Sequence, residues 1–319
     1  MIARFLSEGL DWTGVSGRLT FLFATLLLAV PTTVINMARP FSLIAGLGVV
    51  VGAGLSYLWL GHLRRRLRAL KLPGWVGIAA LVPYLNLVMI LALVLWPTRP
   101  GARRGGESRA YVWVGLGIVL LVLSRLLWHP FTVPAGSMKP NILPGDYLVT
   151  LRAFSSPERG QVVALRHPVS DAIFLKRVVA IGGDSVQMVQ GQVVLNGTPV
   201  LQTRLTDWVE PYRATSAMAF PRCVNTPVPL DGACIKYQAQ EALGGHEYRV
   251  LDLGPHALDN TPVFQVPEGH VFVLGDNRDN SLDSRVAQAA GGLGFVPDAL
   301  VLARPVLVIG WPDLFRRIP

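Results

Sequence analysis

The chain has 319 residues, of which 51% are hydrophobic and 15% charged, and its formal net charge is +9. This length allows two domains, and a mean hydropathy of +0.43 excludes a single soluble globule. The basic excess lies in arginines that flank apolar stretches, which favours membrane topology and anionic lipid over nucleic acid as the partner.

Apolar stretches dominate the chain before residue 130. A membrane-spanning helix needs about 20 mostly apolar residues, and four stretches are candidates: residues 18–39, 41–61, 72–98 and 110–128. The first is too long for a cleavable signal peptide and indicates an anchor. The fourth contains Arg125, whose side chain can reach the interface. Residues 1–110 are therefore predicted to be a multi-span membrane domain of unknown role, and residues 111–130 the final transmembrane anchor.

Two basic loops conflict in this topology. Residues 62–71 and 97–109 are both rich in arginine, and both are expected in the cytoplasm. One full span cannot separate two cytoplasmic loops. Pro83 and Asn86 lie inside the stretch 72–98, where a re-entrant turn can form if protein surrounds it. A re-entrant hairpin with a cytoplasmic N-terminus is favoured over four clean crossings.

From residue 131 onward, short β-branched runs alternate with turn residues. Between the runs lie Pro-Gly-Asp, Gly-Gly-Asp, Asn-Gly and Gly-Asp-Asn, a pattern typical of a mostly antiparallel β domain. Residues 202–262 are rich in proline and are predicted to be a long excursion with one hairpin. The predicted strands are 147–151, 161–165, 174–181, 186–195 and 270–274.

Cys223 and Cys234 are the two cysteines, and both follow the apolar stretches. An even number of cysteines outside the cytosol favours a disulfide, and two buried free thiols are the alternative. Their spacing matches no common zinc motif.

Ser137 lies nine residues after the last apolar stretch, at most roughly 30 Å along an extended chain. Pro134 and Gly136 predict a tight bend around it. Such a bend can expose the serine Oγ and present backbone N–H groups to an oxyanion. The alternative is an ordinary loop serine without a chemical role.

Lysine is scarce, with four lysines against 25 arginines. Arginine stays protonated and cannot act as a base, whereas burial lowers the pKa of a lysine amine until it can accept a serine proton. Lys176 lies in an apolar strand and is the favoured base. A solvent-facing orientation is the alternative, because Lys176 and Arg177 must face opposite ways. Lys139 is close to Ser137 but lies in a predicted exposed turn, where its amine would stay solvated.

Residues 275–285 (Gly-Asp-Asn-Arg-Asp-Asn-Ser-Leu-Asp-Ser-Arg) are typical of a tight turn with side-chain to backbone hydrogen bonds. Ser281 is placed to orient an amine, and Asp283 to pair with Arg285 or Arg177. A calcium loop is the alternative, but its acidic ladder and terminal glutamate are missing. The six histidines fall in no triad-like pattern, and the Gly-x-Ser-x-Gly elbow is absent.

Three blocks together resemble the bacterial type I signal peptidase family. They are Pro-Ala-Gly-Ser-Met at 134–138, Phe-Leu-Lys-Arg-Val-Val at 174–179 and the turn 275–285, and they run in family order. The resemblance implies an N-terminal α-helical transmembrane region followed by a mostly antiparallel β catalytic domain at 131–319. It implies a membrane-bound serine endopeptidase that removes N-terminal signal peptides from exported preproteins after small residues of the Ala-x-Ala type.

The resemblance also implies the location and the partners. It implies the inner membrane of a bacterium, and the apolar stretches and basic loops add a multi-pass topology with the catalytic domain on the extracytoplasmic side; residues 1–110 do not resemble the one or two anchors usual in the family. The protein's partners would be signal peptides of preproteins, the lipid bilayer and the export machinery, without nucleic acid, metal or cofactor.

The same resemblance assigns site residues. Ser137 would be the nucleophile and its backbone N–H an oxyanion donor, with Lys176 as the general base. Ser281 would hydrogen-bond the lysine amine, and Asp283, Arg285 and Arg177 would form a supporting ion-pair cluster. The small apolar pockets for substrate would be lined by Val133, Pro134, Met138, Ile142, Phe174 and Leu175.

The chain departs from the family pattern in three places. Ala135 replaces a serine whose hydroxyl helps to bind the oxyanion in many members. Gln161 replaces the usual aspartate of an Arg-Gly-Asp block. Residues 286–293 lengthen the link that follows the last arginine. Two other functions stay open. The extra membrane domain motivates a dedicated processing peptidase for a specialised secretion or conjugation substrate, and Ala135 motivates a catalytically inactive membrane scaffold.

Overall fold

The computed structural model describes residues 2–38, 42–81, 85–101, 109–153, 155–170, 172–214, 220–310 and 315–319. Pro83 and most of the loop 97–109 lie outside the described residues. The chain divides into two compact units, Met1–Leu127 and Trp128–Pro319. The first is helical and the second is built from strands, which confirms the predicted fold class.

All helices of the first unit except the first, which precedes residue 18, overlap the predicted apolar stretches. The second and third have 20 and 27 residues and are long and apolar enough to cross a membrane. The Ser42 hydroxyl accepts a hydrogen bond from the Ala45 N–H at 3.2 Å and caps the third helix. In chain order, the helices are α1 (Ile2–Leu10), α2 (Arg18–Met37), α3 (Leu43–Ala69), α4 (Leu85–Leu95) and α5 (Arg109–Leu123).

The third apolar stretch forms no single long helix. It folds as a 3-10 helix, Gly74–Leu81, followed by α4 with 11 residues, and a helix of that length extends only about 16 Å. The Arg99 N–H donates to the Ala69 carbonyl at 2.9 Å. The Arg66 Nε donates to the Leu93 carbonyl at 2.7 Å. The two ends of the stretch therefore meet at the end of α3, as a hairpin requires.

The second unit consists of strands joined by turns and short 3-10 helices. Its strands are β1 (Trp128–Thr132), β2 (Tyr147–Arg152), β3 (Val162–Arg166), β4 (Ile173–Ile181), β5 (Ser185–Val189), β6 (Gln192–Leu195), β7 (Thr198–Pro199), β8 (Leu201–Arg204), β9 (Trp208–Pro211), β10 (Ala233–Leu243), β11 (His246–Asp252), β12 (Phe264–Gln265), β13 (His270–Leu274), β14 (Val296–Pro297) and β15 (Val301–Ile309).

A seven-stranded sheet with the order β1-β2-β15-β3-β4-β13-β14 organises this unit. Its neighbouring strands are antiparallel, and β4 lies between β3 and β13. The register pairs Lys176 with Val163 on β3 and Arg177 with Leu274 on β13. Lys176 and Arg177 therefore lie in an inner strand of the sheet, and both are buried, which makes their charged forms less favourable.

The excursion 202–262 is more ordered than predicted. β10 and β11 form the predicted hairpin, but β8 and β9 also pair with β10 and complete a four-stranded sheet. β8 is exposed along its whole length. It therefore lacks the alternation of apolar and polar residues by which a strand is recognised in a sequence.

Candidate active site

The turn that carries Ser137 lies between β1 and β2 and is clamped by the loop after β13. The Asn277 backbone N–H donates to the Ser137 carbonyl at 3.0 Å. The Asn277 Nδ2 donates to the Gly136 carbonyl at 2.9 Å. Ser137 itself is half-buried, and Met138 beside it is buried. Two hydrogen bonds from Asn277 thus fix the backbone at Gly136 and Ser137, which carries the serine side chain.

Lys176 is buried inside the sheet, with 1% of its surface exposed. Burial lowers the pKa of its amine to about 8, because an ammonium ion loses hydration there. The charges of Asp283 and Asp276 oppose this shift, and that of Arg285 adds to it. At neutral to mildly alkaline pH, a useful fraction of the amine is therefore neutral and can accept a proton.

Gly275, the residue after β13, lies close to several of the candidate residues. Continuing the antiparallel register of β4 and β13 by one residue places Gly275 beside Lys176. A Cβ atom on Gly275 would lie 2.3 Å from the Ser281 Oγ and 2.7 Å from the Ser137 carbonyl oxygen. Gly275 is thus a common neighbour of the Ser137 carbonyl, of Ser281 and, by the register, of Lys176, although these residues are far apart in the sequence.

The Ser281 hydroxyl is buried and has no hydrogen-bond partner within the described ranges. The hydrogen bond to the Lys176 amine that the resemblance implies is therefore not formed in this structure. The hydroxyl instead faces the backbone of Gly275. Ser281 is thus a buried polar group at the site that can still form a hydrogen bond with a substrate or with a protonated amine.

The predicted ion-pair cluster separates into two pairs. Asp283 binds Arg285 through Nε and Nη2, both at 2.9 Å, and its Oδ2 accepts the Gly275 N–H at 3.2 Å. Arg177 binds Asp276 instead, through Nε and Nη2 at 2.8 Å each. The expectation that Arg177 joins Asp283 is wrong, because successive residues of a strand face opposite sides and Arg177 points away from Lys176.

The apolar residues predicted to bind substrate also divide between the two faces. Val133, Met138 and Ile142 belong to one buried cluster, and Leu175 packs against it. Phe174 packs against a different cluster, and Pro134 is exposed. The alternation of β4 explains the separation of Phe174 from Leu175. Four of the six candidates thus belong to one buried apolar cluster, which includes Met138 next to Ser137.

The sequence is similar to those of known proteins. A family model described as "Signal peptidase, peptidase S26" matches residues 108–311, more than half of the chain. The chain belongs to this family. Signal peptidase I of Rickettsia prowazekii is 33% identical over 212 residues, covering 56% of this chain and 70% of the relative. Signal peptidase I of Rickettsia akari is 31% identical over 233 residues, covering 61% and 78%.

A solved structure is also similar. The crystal structure of a signal peptidase I from Enterococcus faecalis is 24% identical and covers 48% of this chain and 98% of that chain, with a TM-score of 0.25. With so low a TM-score, membership of the signal peptidase family rests on the sequence matches.

One prediction about this signal peptidase family member is wrong. Lys139 is expected to be exposed in a turn, but it is buried there. Only 7% of its surface is exposed, and its Nζ forms an ion pair with Glu210 Oε2. Its amine is thus engaged by a carboxylate of the excursion, 71 residues further along the chain. Sequence reasoning did not identify Glu210, because a lone glutamate in a weakly patterned segment gives no local signal.

Other features of the sequence have a structural counterpart. Cys223 and Cys234 form a disulfide within the excursion, which ties the segment before β10 to β10, with Cα atoms 5.2 Å apart. The extra residues 286–293 form a compact turn, in which the Leu293 N–H returns to the Asp283 carbonyl at 3.1 Å. The side chain of Ala135 is exposed and offers no hydrogen-bond donor. The longer link is therefore folded back on Asp283, whereas Ala135 leaves an oxyanion without that side-chain donor.

Proposed function

We propose that this protein is a membrane-anchored serine endopeptidase that removes N-terminal signal peptides from preproteins after small residues of the Ala-x-Ala type. Family membership supports the reaction class. The observation that carries the catalytic assignment is the buried Lys176, whose pKa is lowered to about 8 next to the Gly275 contact with Ser137. A buried amine of this kind is a base that needs no histidine.

The proposed mechanism uses Ser137 and Lys176 as a catalytic pair. The neutral Nζ accepts the Oγ–H proton while Oγ bonds to the scissile carbonyl carbon. The ammonium then gives that proton to the leaving nitrogen as the C–N bond breaks, which produces an ester on Ser137 and a free amino terminus on the mature protein. Next, Lys176 takes a proton from water, and the water oxygen attacks the ester. Ser137 regains its hydrogen when the signal peptide leaves as a carboxylate.

The oxyanion must be stabilised mostly by backbone. The Ser137 N–H is the proposed donor, and Asn277 fixes the turn on which it lies. Ala135 supplies no side-chain donor, and a missing donor of this kind costs roughly 2.7–4 kcal/mol of transition-state stabilisation if nothing replaces it. A water molecule or a second N–H of the turn would compensate for it.

Small side chains of the substrate are proposed to bind at the edge of the buried apolar cluster that contains Val133, Met138, Ile142 and Leu175. These side chains are already packed in a cluster with Leu148 and Val162. Larger substrate residues would have to displace packed atoms, and overpacking is penalised. Cleavage after Ala-x-Ala follows from that steric limit.

The membrane unit is proposed to cross the bilayer by α2, α3 and α5, with the segment between Ala69 and Arg99 as a re-entrant hairpin. The backbone contact of those two residues supports the hairpin. Both arginine-rich loops then face the cytoplasm, and the catalytic unit lies on the extracytoplasmic side of the inner membrane. The bilayer and the export machinery are the proposed partners of this unit.

The test is a processing assay with a preprotein that carries an Ala-x-Ala site. Ser137→Ala and Lys176→Ala are each expected to abolish cleavage while the protein still inserts in membranes. Asp231→Asn, which removes an exposed ion pair with Arg213, serves as the matched control. Cleavage by Ser137→Ala at the wild-type rate would contradict the assignment.

A dedicated processing peptidase is a second candidate, because the family model begins at residue 108 and leaves the helices α1 to α4 outside the match. Expression in a cell depleted of its general signal peptidase separates the two functions. Rescue supports the general enzyme, and failure to rescue by an active protein supports the dedicated one. Acylation of Ser137 by an active-site inhibitor excludes an inactive scaffold.

A further inference from the structure

Two of the four lysines of the chain converge on one carboxylate. Lys139 Nζ forms an ion pair with Glu210 Oε2, and Lys236 Nζ lies 2.9 Å from Glu210 Oε1. Lys236 is 1% exposed and Lys139 is 7% exposed. A buried charge without a partner is costly, and among the described residues Glu210 is the carboxylate that both ammonium groups contact.

Lys139 connects this cluster to the serine turn. It lies two residues after Ser137, and its side chain runs back across Gly136, where a Cβ atom would lie 3.3 Å from the Lys139 Cε. The Lys139 N–H also donates to the Gly136 carbonyl at 3.3 Å. Lys139 is therefore in direct contact with the backbone that carries Ser137.

Glu210 is itself held in a fixed place. It lies on β9, where it pairs with Cys234 of β10, and Cys234 is joined to Cys223 by the disulfide. Burial alone would raise the pKa of Glu210, but the hydrogen bond and charge of Lys139 and Lys236 outweigh it, so the pKa lies below its ordinary value. The carboxylate is thus ionised at neutral pH and anchored on a braced strand.

We propose that Glu210 is a positioning residue for the nucleophile: through Lys139 it holds the Ser137 turn in the geometry of attack, and Lys236 fixes its carboxylate. The proposal rests on the proposed role of Ser137. It gives the excursion 202–262 a function in catalysis, because its strand β9 reaches the turn between β1 and β2. Glu210 contacts no reacting atom and acts only through Lys139.

The test compares Glu210→Gln, Lys139→Met and the double variant in steady-state cleavage of an Ala-x-Ala preprotein by the full chain. Misplacement of a nucleophile costs on the order of 10²-fold in rate, and each single variant is expected to lose kcat on that scale with little change in KM. The double variant should be no slower than either single variant, because both remove the same link. Lys236→Met should have a smaller effect, since the pair of Lys139 with Glu210 remains.

The controls separate positioning from folding. In Lys139→Met, the charges of Lys236 and Glu210 still neutralise each other. This variant is therefore expected to fold and can be assayed even if Glu210→Gln is unstable. Asp231→Asn, in the same excursion, should leave kcat unchanged. A lower Tm with wild-type kcat in Glu210→Gln and Lys139→Met, or additive losses in the double variant, would overturn the proposal. Ser137→Ala is measured in parallel: if it still cleaves, the proposed function fails, and if it does not, an unaffected Glu210→Gln refutes this inference alone.

Discussion

A Cβ atom on Gly275 would lie 2.3 Å from the Oγ of Ser281, so the backbone of one residue is in direct contact with the side chain of the other. The same Cβ would lie 2.7 Å from the Ser137 carbonyl oxygen. Glycine is therefore required at the end of β13 by close approach. This contact joins the serine turn to the loop that carries Asp283.

We expect Gly275→Ala to lose most of its activity. The added methyl group must push away either Ser281 or the Ser137 carbonyl, and both lie at the catalytic site. A displacement of about 1 Å in an active site can cost on the order of 10²-fold in rate. The measurement is kcat/KM for a preprotein substrate. Gly17→Ala is the control, because its Cβ would meet no atom within 4 Å, and equal activity of both variants would contradict the contact argument.

The activity should depend on the ionisation of Lys176. Only the neutral amine accepts the serine proton, and with a pKa of about 8 the neutral fraction increases as the pH rises through that value. We expect kcat/KM to rise with pH and to level off above an apparent pKa of about 8. An apparent pKa near that of an ordinary histidine or of a solvated lysine would point to a different base.

The pair of Arg177 and Asp276 should be important for stability. Both side chains are 1% exposed, and the Arg177 guanidinium lies 3.7 Å from the centre of the Tyr248 ring. Removal of one partner leaves a buried charge without compensation, which typically costs about 3–5 kcal/mol. Asp276→Asn is expected to lower the free energy of unfolding by this amount in urea-dependent proteolysis of the catalytic unit. The control is Asp231→Asn, which removes the exposed ion pair with Arg213. An equally small loss of unfolding free energy in both variants would contradict the prediction.

The membrane hairpin predicts that residues 71 and 99 face the same side. Single cysteines introduced as Lys71→Cys and Arg99→Cys should react with an impermeant thiol reagent from the cytoplasmic side only, whereas Val169→Cys in the catalytic unit should react from the opposite side. Cys223 and Cys234 do not interfere, because they are joined in a disulfide. Labelling of residues 71 and 99 from opposite sides would show that the segment crosses the membrane.

Much of the fold was predictable because it depends on local patterns. The strands β2, β4 and β13 match the predicted runs within one residue, since apolar runs between turn residues fix them. The scarcity of lysine and the apolar strand around Lys176 also identified a candidate base that proves to be buried.

The remaining features depend on contacts between distant residues. Lys139 meets a glutamate 71 positions away, and Arg177 binds an aspartate 99 positions away. Such pairs leave no periodic signal. The orientation of β4 was open for the same reason: alternation showed that Lys176 and Arg177 face opposite ways, and the packing of β13 and its loop decides which of them lies near Ser137.

The most direct test of the catalytic pair is single-turnover cleavage of an Ala-x-Ala preprotein by Lys176→Arg, reconstituted in lipid beside the wild-type chain. Arginine keeps the positive charge and much of the length of lysine, but its guanidinium stays protonated and cannot accept the Ser137 proton. We expect no cleavage above the uncatalysed background at any pH from 6 to 9. Cleavage within about 10²-fold of the wild-type rate, the low end of what a general base contributes, would contradict the role of Lys176 as the base.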